Sequence, residues 1–163
     1  MAEEFEGAED LDQPPAFFPY EGGAERRANL GELVEVRIDG VYEGERDGHI
    51  SRFVMLTDGE RRLPILIGAF EAHAIQAPME GAQPERPMTH DLIRKVLDRL
   101  GCPVDRVVID DLWNAVYYAK IYLRQDKGEL EIDSRPSDAI AMAVRFNAPI
   151  FVADGILDQA FED

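Results

Sequence analysis

From Leu33 the chain alternates apolar and polar positions: Val34, Val36 and Ile38 are interleaved with Glu35, Arg37 and Asp39. A repeat of two predicts a half-buried strand running to about Tyr42. A turn at Glu45–Gly48 leads to a second strand over His49–Thr57, the Asp58-Gly59 pair signals a hairpin, and Leu63–Ile67 forms a third strand. The period then changes. Phe70–Ala77 reads as a short helix, and residues 78–87 read as a loop broken by Gly81, Pro84 and Pro87. Leu92, Val96 and Leu100, widened by Ile93 and Leu97, mark one stripe of a strong helix over Thr89–Leu100, capped by Thr89 and stopped by Gly101 and Pro103. In its first turn Asp91 suits the helix dipole and is spaced to pair with Lys95. Strands over Val104–Leu112 and Ala115–Arg124, a turn at Asp126–Gly128 and a strand over Glu129–Asp133 follow. A helix over Pro136–Phe146, a short strand over Pro149–Val152 and a last helical turn over Ile156–Phe161 complete the chain. This order predicts one α+β domain, its sheet mainly antiparallel, with two principal helices and a short third.

Before Leu33 there is no such period. Residues 1–31 carry eight acids against two bases, with Pro14, Pro15, Pro19 and a Gly22-Gly23 pair, and are expected to form a mobile acidic arm before a domain over 32–163. Phe17, Phe18 and Tyr20 are the arm's one aromatic cluster. The whole chain has 33 acids, 17 bases and a formal charge of −16, which argues against a broad basic nucleic-acid face. Fourteen of the bases are Arg and three are Lys, a bias that suits either a high-salt setting or Arg-rich codon usage. No apolar run is long enough to cross a bilayer, and a soluble, cytoplasmic protein is expected. One cysteine, Cys102, excludes an internal disulfide and a multi-cysteine zinc site; in its Gly-Cys-Pro turn it reads as a buried structural thiol.

Two stretches concentrate ionisable residues at helix starts. In Arg86-Pro-Met-Thr-His-Asp-Leu92, an Arg, a helix N-terminus and an imidazole describe a phosphate cradle, but equally an ordinary capped helix. In Asp133-Ser-Arg-Pro-Ser-Asp138, two carboxylates that meet would hold Mg²⁺ or Mn²⁺ and Arg135 would clamp a phosphate. The same residues also describe a cap, with Arg135 neutralising Asp133. His49 and His73 lack metal-ligand spacing, and Walker, dinucleotide and serine-elbow motifs are absent from the sequence. Tyr118 and Tyr122, outward on their strand without a basic row, suit a subunit contact better than base stacking.

The run Arg86–Leu92 together with Ile132-Asp-Ser-Arg-Pro-Ser-Asp-Ala-Ile-Ala141 resembles the bifunctional nuclease family. Ile67-Gly-Ala-Phe-Glu-Ala72, Tyr117-Tyr-Ala119 and Pro149-Ile-Phe-Val152 stand in the order that resemblance requires, across about residues 33–160. Trp113-Asn-Ala115 departs from it, because relatives often place a glycine-containing turn there, and Ser134 replaces a common Ala. The resemblance implies an α+β fold that self-associates and a nuclease acting on DNA and RNA. Carried across position by position, it implies catalytic roles for Glu71, His90, Asp91 and Asp138, and substrate binding by Arg86, Thr89, Arg135 and Ser137. Asp133 and Asp138 would hold Mg²⁺ or Mn²⁺, and His90, the one imidazole in the two segments, would move the proton. An acidic chain of this kind is expected to lean on its divalent ion for substrate capture. The alternative is a non-enzymatic oligomeric module in which the same residues cap helices, bind an anion or hold a subunit interface.

Overall fold

The computed structural model describes residues 30–162, so the expected arm and its aromatic cluster lie outside the described residues. The elements follow the periodicities closely. The strands are β1 (Leu33–Arg46), β2 (His49–Thr57), β3 (Arg62–Ile67), β4 (Val104–Trp113), β5 (Val116–Gln125), β6 (Gly128–Ser134) and β7 (Ile150–Ala153). The helices are α1 (Ala69–Met79), α2 (Thr89–Leu100), α3 (Pro136–Phe146) and α4 (Asp154–Glu162). The expected last turn is therefore a full fourth helix, which starts directly from β7.

All seven strands form one sheet in the order β3-β2-β1-β7-β4-β5-β6. Every pairing is antiparallel except β4 with β7, where Val107 lies opposite Ile150 and Ile109 opposite Val152. β7 thus joins the N-terminal meander to the C-terminal one, a long-range pairing that local periodicity does not encode. Arg61 fastens the β2–β3 turn to α4, hydrogen-bonding Asp58 at 2.8 Å, Asp154 at 2.9 Å and Asp158 at 2.6 Å.

α3 is the central helix. Pro136 opens it, Asn147 closes it in the left-handed region (φ 50°), and Ala139, Ile140, Ala141, Met142 and Ala143 are buried among Val107, Ile109, Ala119 and the other core residues. Small side chains let it lie against β4 and β5 while α1 and α2 pack on its remaining flank. α2 behaves differently from its pattern. Leu92, Val96 and Leu100 stay 55, 49 and 68% exposed, and of the expected face it is Leu97, at its edge, that meets the core. Thr89 is its first helical residue, not its cap; the cap position is Met88, whose N–H is accepted by Asp91 Oδ2 at 3.0 Å. Cys102 is a free, partly exposed thiol, its Sγ 3.5 Å from the Leu100 carbonyl, rather than a buried one.

Candidate active site

Helices α1, α2 and α3 line one groove of about 820 Å³. α1 contributes Glu71, α2 contributes Thr89, His90 and Asp91, and α3 contributes Asp138 and Arg145, with Arg135 just ahead of it. Segments almost fifty residues apart in sequence are thereby brought into hydrogen-bonding distance.

His90 Nε2 lies 2.9 Å from Asp138 Oδ1, with the imidazole 14% exposed. Arg135 binds the same carboxylate, Nε to Oδ2 at 2.9 Å and Nη2 to Oδ1 at 3.3 Å, and reaches Glu71 Oε1 through Nη1 at 3.1 Å. Asp138 therefore holds His90 and Arg135 together, and Glu71 steadies the far side of the guanidinium. Burial alone would push the Asp138 carboxyl up, but the hydrogen bonds from Arg135 and His90 outweigh it and hold the group below its ordinary value. Arg135 is correspondingly raised, chiefly by its hydrogen bond to Asp138.

An ionised Asp138 only accepts, so the proton of that contact sits on His90 Nε2 and leaves Nδ1 as the basic nitrogen of the neutral ring. Arg135 spends three of its five N–H groups on Asp138 and Glu71 and is 65% exposed, which leaves one N–H on each terminal nitrogen for an anion.

Behind these groups stands a residue that the sequence patterns did not single out. Arg145 is 5% exposed on α3; its Nε donates to Asp91 Oδ1 at 2.8 Å, and its Nη1 donates to the carbonyls of Ala74 at 2.7 Å and Ala141 at 2.9 Å. It clamps all three helices. A charged residue among the apolar positions of an Ala-rich helix was the only signal of it. Asp91 therefore pairs with Arg145 rather than with Lys95. Burial tends to raise its carboxyl, but Arg145 and the Met88 amide outweigh that and lower it.

The remaining expected positions lie elsewhere. Arg86 is exposed in the loop before α2 and does not line the groove, and Ser137 is buried in the first turn of α3, also off the groove. Asp133 is exposed on β6 opposite Lys120, and Arg135 pairs with Asp138 and Glu71 instead of with it. The donor set in the groove does not fit a resident divalent ion. Both Asp138 oxygens and Glu71 Oε1 are taken by Arg135 and His90, and no group of three or more acidic, His or Cys side chains spaced for a metal occurs among the described residues.

The bifunctional nuclease domain profile matches residues 54–163 of the chain. The chain belongs to the bifunctional nuclease domain family. The chain is 36% identical over 126 residues to an uncharacterized protein of Mycobacterium tuberculosis (strain H37Rv), covering 77% of this chain and 75% of that one. It is 33% identical over 93 residues to bifunctional nuclease 2 of Arabidopsis thaliana, covering 55% of this chain and 28% of the plant protein. Against bifunctional nuclease 1 of the same plant, identity is 31% over 123 residues, covering 69% of this chain and 38% of that one. The match spans only about a third of these plant proteins. The family profile begins inside β2, yet β1 belongs to the same sheet, pairing with β2 on one side and β7 on the other. Among the described residues no helix is long and apolar enough to cross a membrane.

Proposed function

We propose that this chain is a nuclease that hydrolyses phosphodiester bonds of DNA and RNA at the mouth of the α1–α2–α3 groove. The observation that carries this reading is the Arg135–Asp138–His90 linkage, which sets an oriented base beside an exposed guanidinium in a chain of this family. In this reading the two free N–H groups of Arg135 bind the phosphate. His90 Nδ1 takes a proton from water as the water oxygen attacks phosphorus, the bond to the leaving ester oxygen breaks, and that oxygen takes its proton from solvent while the imidazolium later returns its own to solvent. Asp138 fixes the ring and stabilises the imidazolium that forms, and Glu71 keeps Arg135 from swinging away. Thr89 borders the same space and is a further phosphate contact. Positive charge on the phosphate comes from Arg135, and no step runs through Mg²⁺ or Mn²⁺.

The test is cleavage of labelled single-stranded DNA and RNA by protein whose activity follows the 18.3 kDa chain through two different columns, with and without EDTA. Cleavage that persists in EDTA is expected. Loss in EDTA would mean that an ion enters by displacing Arg135, and no cleavage in either buffer would favour the non-enzymatic module. That second reading draws on Arg145, whose clamp of three helices is structural whatever the groove does.

Self-association belongs to the same proposal. Its support is the α2 stripe of Leu92, Val96 and Leu100, which the fold leaves to solvent. Equilibrium sedimentation is expected to give a dimer or larger that Val96→Glu dissociates; a wild-type monomer would contradict it.

A further inference from the structure

Phe70 is 89% exposed, although it stands second in a helix whose core-facing positions are filled by Ala72 and Ile75. An aromatic ring left almost wholly in water forfeits the burial that usually justifies it. Its placement accounts for it. Phe70, Ala74, Ala77 and Pro78 follow the i, i+4, i+7, i+8 spacing of one helix face, and all four line the groove. Across the groove α2 presents Ile93, preceded by Met88 at its cap, so the trough is apolar on both walls. Glu71, the next residue, holds Arg135, and Phe70, Glu71 and Arg135 all line this groove, so the ring and the exposed guanidinium border one space.

We infer that Phe70 is the nucleobase-stacking residue of this site and that it selects unpaired strands. The inference rests on the nuclease reading and extends it to substrate class. A nucleotide presents a flat apolar base and an anionic phosphate, and the groove sets an open aromatic face beside an anion-binding guanidinium. Every base has a face to stack, so the contact is tolerant of sequence. In a duplex both faces of each internal base are already stacked, so only single strands, loops or frayed ends reach Phe70.

The test compares wild type with Phe70→Ala and Phe70→Trp on one fluorescent single-stranded oligonucleotide, its duplex, and a strand of the same length made of abasic residues. Cleavage gives KM and kcat, and anisotropy gives binding. Because the ring is so exposed, neither substitution is expected to disturb folding, which circular dichroism checks. Phe70→Ala is expected to raise KM and Kd on the base-bearing strand about tenfold, the order that one base–aromatic stack supports, with kcat little changed. Phe70→Trp should retain wild-type values, and on the abasic strand all three proteins should agree. Wild type should also favour the single strand over the duplex. Cleavage that is indifferent to Phe70, or a loss equally large on the abasic strand, overturns this inference and leaves the nuclease reading standing. Phe70-dependent binding without cleavage supports the stacking site while the nuclease reading fails. No binding of any strand overturns both.

Discussion

His90 and Asp138 lie forty-eight residues apart in sequence, on two different helices, and meet at 2.9 Å between Nε2 and Oδ1. The contact exists because α2 and α3 both begin at the same end of the groove. Each helix places a polar side chain in its first turn, His90 on α2 and Asp138 on α3. Arg135, one residue ahead of α3, closes the arrangement by taking the other Asp138 oxygen.

Asp138 also gives the site an acid limit. Its carboxyl is held below its ordinary value, with burial opposing and the hydrogen bonds from Arg135 and His90 prevailing. A depressed carboxyl contributes stability fully above its unfolded-state pKa of about 3.9 and loses it as pH falls through the lowered folded-state value. Thermal unfolding followed from pH 6 to pH 2 should therefore show a steeper loss for wild type than for Asp138→Asn in the acid window. Parallel curves would remove the linkage.

Gly68 governs the other end of the guanidinium. Its backbone (φ −78°, ψ 172°) suits alanine, but a Cβ there would fall 2.3 Å from Glu71 Oε2. The carboxylate tip is flexible and moves aside at little steric cost, and its hydrogen bond to Arg135 is lost. Gly68→Ala should keep wild-type thermal stability within about 0.5 kcal/mol, as substitutions outside packed regions usually do, while lowering cleavage several-fold. Glu71→Gln should reproduce that loss; unchanged rates in both variants would show that Glu71 does not steady Arg135.

Arg145 is a matter of stability first. Replacing it with Ala strands a partly buried Asp91 carboxylate and the Ala74 carbonyl and should cost roughly 3 kcal/mol, the scale of breaking a buried charge pair from one side. Denaturant titration checks this, and Asp91→Asn in the Arg145→Ala background should recover part of the loss. A cost below about 1 kcal/mol, typical of a surface pair, would make the clamp incidental.

Ala115 bears on the hairpin between β4 and β5. Asn114 and Ala115 both have positive φ (49° and 60°), the geometry of a two-residue type I′ turn. For alanine that conformation costs about 1–2 kcal/mol, part of which glycine returns as greater unfolded-state freedom. Ala115→Gly should stabilise the protein by about 0.5–1 kcal/mol, read as a higher midpoint in denaturant. A lower midpoint would contradict the strain at this position.

Most of the elements were legible in the sequence because each strand and helix carries its own period and punctuation. Gly101 and Pro136 bound their helices as local chemistry requires. What periodicity could not supply was anything joining distant segments. The parallel β4–β7 pairing is one case, and the seating of α2 is another, since a stripe of Leu92, Val96 and Leu100 does not say which flank meets α3. The site was legible to the same degree. His90, Asp91, Arg135 and Asp138 stand out as polar residues at helix starts, but which partner each takes depends on how three helices converge. Hence Asp91 turned to Arg145 and not to Lys95, and Arg135 turned to Glu71 and Asp138 and not to Asp133. Arg145 itself gave little sign, because one arginine in an apolar helix looks like an exposed position until the helix is buried.

The most direct test of the account is kcat/KM on a defined single-stranded oligonucleotide for His90→Ala and Asp138→Asn, beside wild type purified identically and with folding checked by circular dichroism. A positioned general base contributes about 10²–10⁴-fold, so both folded variants should lose at least a hundredfold. Wild-type rates in both would contradict the account and place the chemistry outside this groove.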